Sequence, residues 1–319
     1  MIPYNWITDA AVKIQPHIKQ TPLTYDPNLD LYIKWENQQV TGSFKARGAF
    51  NKVLSLEKWE QEAGLLAASA GNHGQGLALA GSLVGAPVKI FVGETAPEVK
   101  IEAMRNLGAE IVVVPGGYGE AENAALKMAA NSSATWVSAY NDGTVIAGQG
   151  TVGLEMTHQL ATFPDLILKE STWLVPVSGG GLLAGVGAAL AELSPRPRLI
   201  GVQADTNAFM QALFNHGSQA DVVEKPTIAD GLAGPVEAGS ITIPLIKSYV
   251  DDIILVTEAE IAAAVIHAWQ VYQHRIEGAA AVSLAAVLSG HIPQKPVVAL
   301  ISGGNIQPEV FEQILAEQV

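Results

Sequence analysis

Several short segments of the chain combine residue types that could take part in chemistry. The first is Thr41-Gly42-Ser43-Phe44-Lys45. Its lysine lies between Phe44 and Ala46, near Gly42 and Gly48, an apolar setting that depresses an amine's pKa and makes it nucleophilic. Alone this is weak grounds, because most lysines are solvated surface groups. The second is Ser69-Ala70-Gly71-Asn72-His73-Gly74-Gln75-Gly76, which opens a helical stretch. Small residues at a helix start expose backbone donors that suit a carboxylate. Asn72 offers an amide to a ring hydroxyl. His73 reads first as a histidine held by local hydrogen bonds, and second as a proton carrier.

The third segment is Ser178-Gly179-Gly180-Gly181-Leu182. Consecutive glycines let backbone N–H groups converge on an anion, and the helix that follows favours negative charge. The loop reads as a phosphate cradle, with a plain strand-to-helix turn as the alternative. The fourth is Ser302-Gly303-Gly304-Asn305, where a hydroxyl at a strand's end can bond a ring nitrogen. The fifth is Glu277-Gly278-Ala279-Ala280-Ala281, in which Glu277 either favours the helix dipole or lines a site. Gly179-x-Gly181-x-x-Ala184, followed by a strand ending near Asp205, also fits a dinucleotide fingerprint. A nicotinamide-dependent oxidoreductase is therefore a rival reading.

The elements around these loops alternate. Val- and Ile-rich runs predict strands at 88–92, 110–114, 135–138, 172–177, 198–203, 252–256 and 296–301. Apolar residues at three- and four-residue spacing predict helices at 73–84, 97–107, 119–130, 148–160, 182–193, 258–272 and 279–288. Thr257 and Glu260 form a capping-box signal. The alternation implies an α/β fold of mostly parallel sheets, with ligands at the carboxyl ends of strands. The Gly/Pro-punctuated stretch 215–240 reads as a long connection near the site.

Composition narrows the classes. The chain has 319 residues, which makes two domains the expectation. It is 49% hydrophobic and 15% charged, with a net charge of −13 and a pI of about 4.9. Acidic surface repels phosphate backbones and anionic lipid, so neither nucleic acid nor membrane is an expected partner. Without cysteine there is no disulfide, thiolate metal site or cysteine nucleophile, and the seven histidines lack zinc-pair spacing, so no metal is expected. No signal peptide is seen, which makes the cytoplasm the expected location. Low charge points to surface shared between subunits, and a homodimer is expected.

Together the segments resemble fold type II pyridoxal-phosphate enzymes, in the threonine/serine dehydratase and serine racemase branch. Matching runs are Thr41–Ala49, Ser69–Gly76, Ala147–Thr151, Pro176–Gly185, Thr227–Gly231 and Ser302–Asn305, in the family's order, with Ser178 where many members have a further glycine. The resemblance implies a small α/β domain, 47–140, inserted in a larger one formed by 1–46 and 141–319. It implies that Lys45 holds pyridoxal 5′-phosphate as a Schiff base, that Phe44 packs on the ring, and that Asn72 bonds the ring hydroxyl. Ser178, Gly179, Gly180, Gly181 and Leu182 would hold the phosphate, Ser302 would face the ring nitrogen, and Glu277 would lie at the cofactor. Ser69, Ala70, Gly71 and His73 would surround the carboxylate of an amino-acid substrate. The activity implied is β-elimination of a hydroxy amino acid to a 2-oxo acid and ammonia.

Departures refine that expectation. Ala70 stands where racemases carry a proton-transferring serine, so racemisation is disfavoured, and Gly278 replaces the usual proline. Asp205 and Gln211 stand near the branch's cation ligands. The chain ends soon after Asn305, so no appended regulatory domain or isoleucine feedback is expected. Serine racemase, a 3-hydroxyaspartate dehydratase and a non-catalytic pyridoxal-phosphate protein remain the alternatives.

Overall fold

The predicted strands fall into two separate sheets in the computed structural model, which describes residues 1–316. The strands are β1 (Leu23–Asp26), β2 (Leu31–Trp35), β3 (Leu65–Ala68), β4 (Val88–Gly93), β5 (Glu110–Val114), β6 (Thr135–Trp136), β7 (Thr172–Pro176), β8 (Arg198–Ala204), β9 (Asp252–Val256) and β10 (Val297–Ile301). The six-stranded sheet has the order β1-β2-β10-β7-β8-β9. Only β1 and β2 pair antiparallel in it. The four-stranded sheet, β5-β4-β3-β6, is parallel throughout. It takes every strand from residues 65–136, and the other sheet takes its strands from 23–35 and 172–301. Residues 317–319 of the larger expected domain lie outside the described residues.

Burial on both faces explains the continuous apolar runs of the central strands. Every residue of β7 and β10 is buried. The helices are α1 (Tyr4–Ile14), α2 (Lys45–Leu54), α3 (Lys58–Ala63), α4 (Asn72–Val84), α5 (Glu98–Asn106), α6 (Tyr118–Ala130), α7 (Gly143–Leu160), α8 (Gly181–Leu190), α9 (Phe209–His216), α10 (Thr242–Tyr249), α11 (Glu258–Tyr272), α12 (Gly278–Leu288) and α13 (Pro308–Ala316). The Thr257–Glu260 capping box is formed as expected at the start of α11. No helix among the described residues is long and apolar enough to cross a membrane.

Some expectations change. The strand expected at 135–138 stops at Trp136, because Ser138 folds into a turn. The helix expected at 182–193 ends at Leu190, shortly before Pro195 and Pro197. The helix expected at 148–160 starts earlier, at Gly143, where the Asp142 carboxylate caps it by accepting from the N–H of Thr144 and Val145. β1, β2, β3, α1, α2, α3, α9, α10 and α13 were not foreseen. β3 reads Leu-Leu-Ala-Ala and β2 carries Lys34, neither a pattern that marks a strand.

Helix α2 carries Lys45 at its first position and is wedged against α7. A Cβ on Gly148 would lie 2.7 Å from Gly48 Cα, so the two glycines permit this close crossing. A buried four-charge cluster fixes the same helix. Arg47 Nε donates to Glu36 Oε2 at 2.8 Å, and its Nη2 donates to Glu36 Oε1 at 2.7 Å and Glu155 Oε2 at 2.9 Å. Lys34 pairs with Glu155 from β2. Burial pushes the Glu36 carboxyl up, but Arg47 overrides this and holds it below the ordinary carboxylate value.

Candidate active site

Three of the expected loops leave the carboxyl ends of parallel strands, as the fold class requires. Ser69 follows β3, the glycine loop follows β7, and Ser302 follows β10. The lysine segment is stitched directly to the last of these. Phe44 N donates to Ser302 O at 3.0 Å, Gly304 N donates to Gly42 O at 2.9 Å, and Ser43 bridges Gly303. Lys45 Nζ lies 5.2 Å from the Phe44 ring centre and donates to the Ala139 carbonyl at 3.0 Å. Burial lowers its pKa to about 8, while the Glu277 carboxylate pulls the other way. About a tenth of the amine is therefore free base at pH 7, far more than for an ordinary lysine.

The asparagine loop is built around Ser69, whose Oγ accepts from Gly71 N at 3.2 Å and Gly74 N at 3.1 Å. Those bonds hold the entry to α4, and Ala70 and Gly71 are left partly exposed beside it. His73 is buried, and its Nε2 meets the Val137 carbonyl at 2.9 Å, a contact that places the N–H on that nitrogen. Burial, with Lys45 nearby, depresses its pKa to about 4, so the ring is neutral at neutral pH. This is the local-bond reading of His73, favoured above the proton carrier.

Asn72 is more heavily engaged than its type suggested. Its Nδ2 donates to Glu277 Oε1 at 2.8 Å, and its Oδ1 accepts from Asn305 Nδ2 at 2.7 Å. Asn305 also donates to the Thr41 carbonyl at 2.8 Å. Glu277 sits at the N-cap position of α12, but its side chain makes no cap bond and turns into the site. Burial and the nearby Asp230 push its pKa up to about 7, against Lys100, Asn72 and the Asn305 N–H. The long connection reaches the same place. Glu258 at the start of α11 accepts from Thr227 Oγ1 at 2.6 Å and Ile228 N at 2.8 Å. A Cβ on Gly278 would lie 2.2 Å from Ile228 O, so the glycine in place of proline lets that strand of chain pack against Glu277's helix.

At the glycine loop, Gly180 has φ +91°, a conformation that side chains rarely adopt. Added Cβ atoms would meet Tyr140 Cδ1 at 2.4 Å from Gly179 and Ile246 Cδ1 at 2.5 Å from Gly180. Thr242 Oγ1 donates to Gly179 O at 2.7 Å, so that carbonyl is already engaged. The first-turn N–H groups of α8, which starts at Gly181 with no side-chain cap, have no acceptor inside their own helix. An anion is the natural partner for such a cradle. The hydroxyls of Thr41 and Ser43 are buried without a partner among the described residues.

A family model described as pyridoxal-phosphate dependent enzyme matches residues 14–303, nearly the whole chain. The chain belongs to that family. It is 40% identical over 322 residues to an L-threonine ammonia-lyase of Thermotoga maritima, covering 99% of this chain and 78% of that one. A processed threonine deaminase isoform 2 from Solanum lycopersicum superposes with a TM-score of 0.88 at 30% identity, over 98% of this chain and 92% of that one. A maize serine racemase gives 0.87 at 27% identity, over 99% and 97%. The fold type II resemblance is thereby met, and the nicotinamide reading of the glycine loop loses its footing.

The residues present suit the family's cofactor. A buried amine of lowered pKa, an anion cradle without side-chain charge, and a serine at a strand end match an aldehyde, a phosphate and a pyridine nitrogen in turn. Sequence reasoning missed the Ala139 carbonyl, Tyr140 and the side chain of Asn305. Asn305 stood inside a recognised motif and was given no role. Nothing in the sequence marks a backbone carbonyl.

Proposed function

We propose that this chain is a pyridoxal-phosphate-dependent threonine/serine ammonia-lyase. Within a chain of this family, the observation that carries the reading is the buried Lys45 amine, with a pKa of about 8, where the loops meet. When bound, the cofactor supplies an electron-withdrawing ring that stabilises negative charge at the substrate's Cα.

The chain's own residues supply the rest. Lys45 Nζ is the point of covalent attachment and, once the substrate's amine has displaced it, accepts the Cα proton. The backbone donors at the start of α4, from Ser69 to His73, take the substrate carboxylate. The glycine loop, Ser178 to Leu182, takes the phosphate. Phe44 packs on the ring and Ser302 faces its nitrogen. Asn72 and Glu277 border the ring hydroxyl as a hydrogen-bonded pair. Loss of the Cα proton and of the β-hydroxyl, which departs as water, gives an enamine that hydrolyses to a 2-oxo acid and ammonia. Ala70 has no proton to deliver from the opposite side, which favours elimination over inversion.

A cytoplasmic homodimer belongs to the same proposal, supported by the acidic, cysteine-free and weakly charged composition. So does an inserted small domain over 47–140, supported by the strands of the four-stranded sheet falling at 65–136.

The test is a substrate panel of threonine, serine and 3-hydroxyaspartate, following ammonia and 2-oxo acid together, with serine inversion read by chiral chromatography. Borohydride reduction and peptide mass spectrometry should place the cofactor on Lys45. Covalent attachment without ammonia from any panel member would instead mark a non-catalytic pyridoxal-phosphate protein.

A further inference from the structure

The bond from Lys45 Nζ to the Ala139 carbonyl joins α2 to the turn between β6 and α7. That turn is built by one hydroxyl. Ser138, 8% exposed, accepts through its Oγ from Asn141 N at 3.0 Å and from Tyr140 N at 3.4 Å. The Tyr140 N–H and the Ala139 C=O belong to the same planar trans peptide, so they point in opposite directions. Holding the N–H on Ser138 Oγ therefore turns the carbonyl away from Ser138, and it meets Lys45 Nζ.

The neighbouring residues of this segment touch the other parts of the site. The Val137 carbonyl meets His73. The Tyr140 ring lies against the position that a Cβ on Gly179 would occupy, the Tyr140 Cα and Cβ lie against that of Gly181, and the Tyr140 Oη accepts from Glu237 N at 3.0 Å. Asp142 then caps α7, so the segment is pinned at its far end. The lysine, the asparagine loop and the glycine loop thus share one short stretch of backbone. The charged group that acts on the amine is Glu277, and His73 beside it is neutral.

We propose that Ser138 is a positioning residue for the reaction, fixing through the Ala139–Tyr140 peptide where the Lys45 amine rests and how it points when it takes the Cα proton. This rests on the reading of Lys45 as attachment point and base. A carbonyl acceptor also favours the ammonium form, so it partly offsets burial. Without Ser138 Oγ the peptide is free to rotate, and the amine loses both its aim and that offset.

The experiment compares Ser138→Ala and Ser138→Thr in the full-length protein. Steady-state kcat and KM are measured on the holoenzyme. The pH dependence of Lys45 acetylation is followed by peptide mass spectrometry on the full chain freed of cofactor. For Ser138→Ala we expect kcat to fall about tenfold with KM within about twofold, as for a misaimed reacting group. Its acetylation midpoint should move to lower pH, making labelling at pH 7 about twofold faster. Ser138→Thr, which keeps the hydroxyl, should restore both. If Ser138→Ala does not fold, Ser138→Cys decides, because its thiol has the same branching as the hydroxyl but is a weak acceptor. An unshifted labelling curve in the variant lacking the oxygen, whatever its kcat, overturns the proposal. So does a threonine variant that behaves like alanine. Labelling needs no turnover, so a wild-type protein without lyase activity would sink the reading of Lys45 as base and leave this readout standing.

Discussion

Asn72 Nδ2 donates to Glu277 Oε1 over 2.8 Å, joining the first residue of α4 to the residue before α12. One helix follows the four-stranded sheet's β3 and the other packs on the six-stranded sheet. The pair therefore closes the site across both halves of the molecule. Asn305 extends it to the Thr41 carbonyl, four residues before Lys45.

Glu277 makes stability depend on pH. Its folded pKa of about 7 lies above its ordinary 4.5, so the folded chain binds the extra proton between those values. Stability should be greatest from this group below about pH 4.5 and fall as pH rises to about 7, by up to roughly 3 kcal/mol. Glu277→Gln keeps the acceptor for Asn72 and removes the titration. Urea midpoints from pH 5 to 8 should flatten in that variant; a slope equal to wild type would contradict the assignment.

Lys45→Ala should abolish turnover, by at least about a thousandfold, by removing both the attachment point and the base. In wild type, kcat should climb with pH towards about 8, because the amine accepts a proton only as the free base. A rate profile from pH 6 to 9.5 checks the direction. A rise governed near pH 6 would point to a different group.

Gly179→Ala and Gly180→Ala should loosen the cofactor. The first drives a methyl into Tyr140, and the second forces a side chain onto a φ of +91° against Ile246. The clash at Gly179, and backbone strain of about 1–3 kcal/mol at Gly180, should each raise the cofactor's dissociation constant about tenfold or more. Absorbance titration of the freed protein measures it.

Arg47→Met should destabilise the fold by about 3–5 kcal/mol, since it strands the buried Glu36 beside a partly covered Glu155. Chemical denaturation gives the value. Glu36→Gln combined with Arg47→Met should recover part of the loss, because the unpaired buried charge is then gone.

The helices with strong apolar periodicity were readable from the chain, and 258–272 begins and ends as the pattern indicates. So were the strands rich in branched residues, with 110–114 and 252–256 matching to the residue. β2 was hidden because Lys34 interrupts its apolar run, and that lysine is tolerable because Glu155 and Gln159 meet it from α7 and the Thr21 carbonyl accepts from it. β3 was hidden because two alanines carry no strand preference, although burial on both faces of a parallel sheet makes them suitable there. The helix that presents Lys45 was hidden by Gly48, which lowers helix preference but admits α7 at close range.

By itself, the sequence determined the loops that hold chemistry, their order along the chain, and the family those loops mark. Residue type and local spacing suffice for that, because glycine runs, strand ends and helix starts act on a ligand largely through nearby backbone. Tertiary structure decided the state and aim of each group. Asn72 and Glu277 are 205 residues apart in sequence, and Lys45 and Ala139 are 94 apart. A raised carboxyl pKa, a lowered amine pKa and the direction of one carbonyl all depend on what folding brings near and what water it removes.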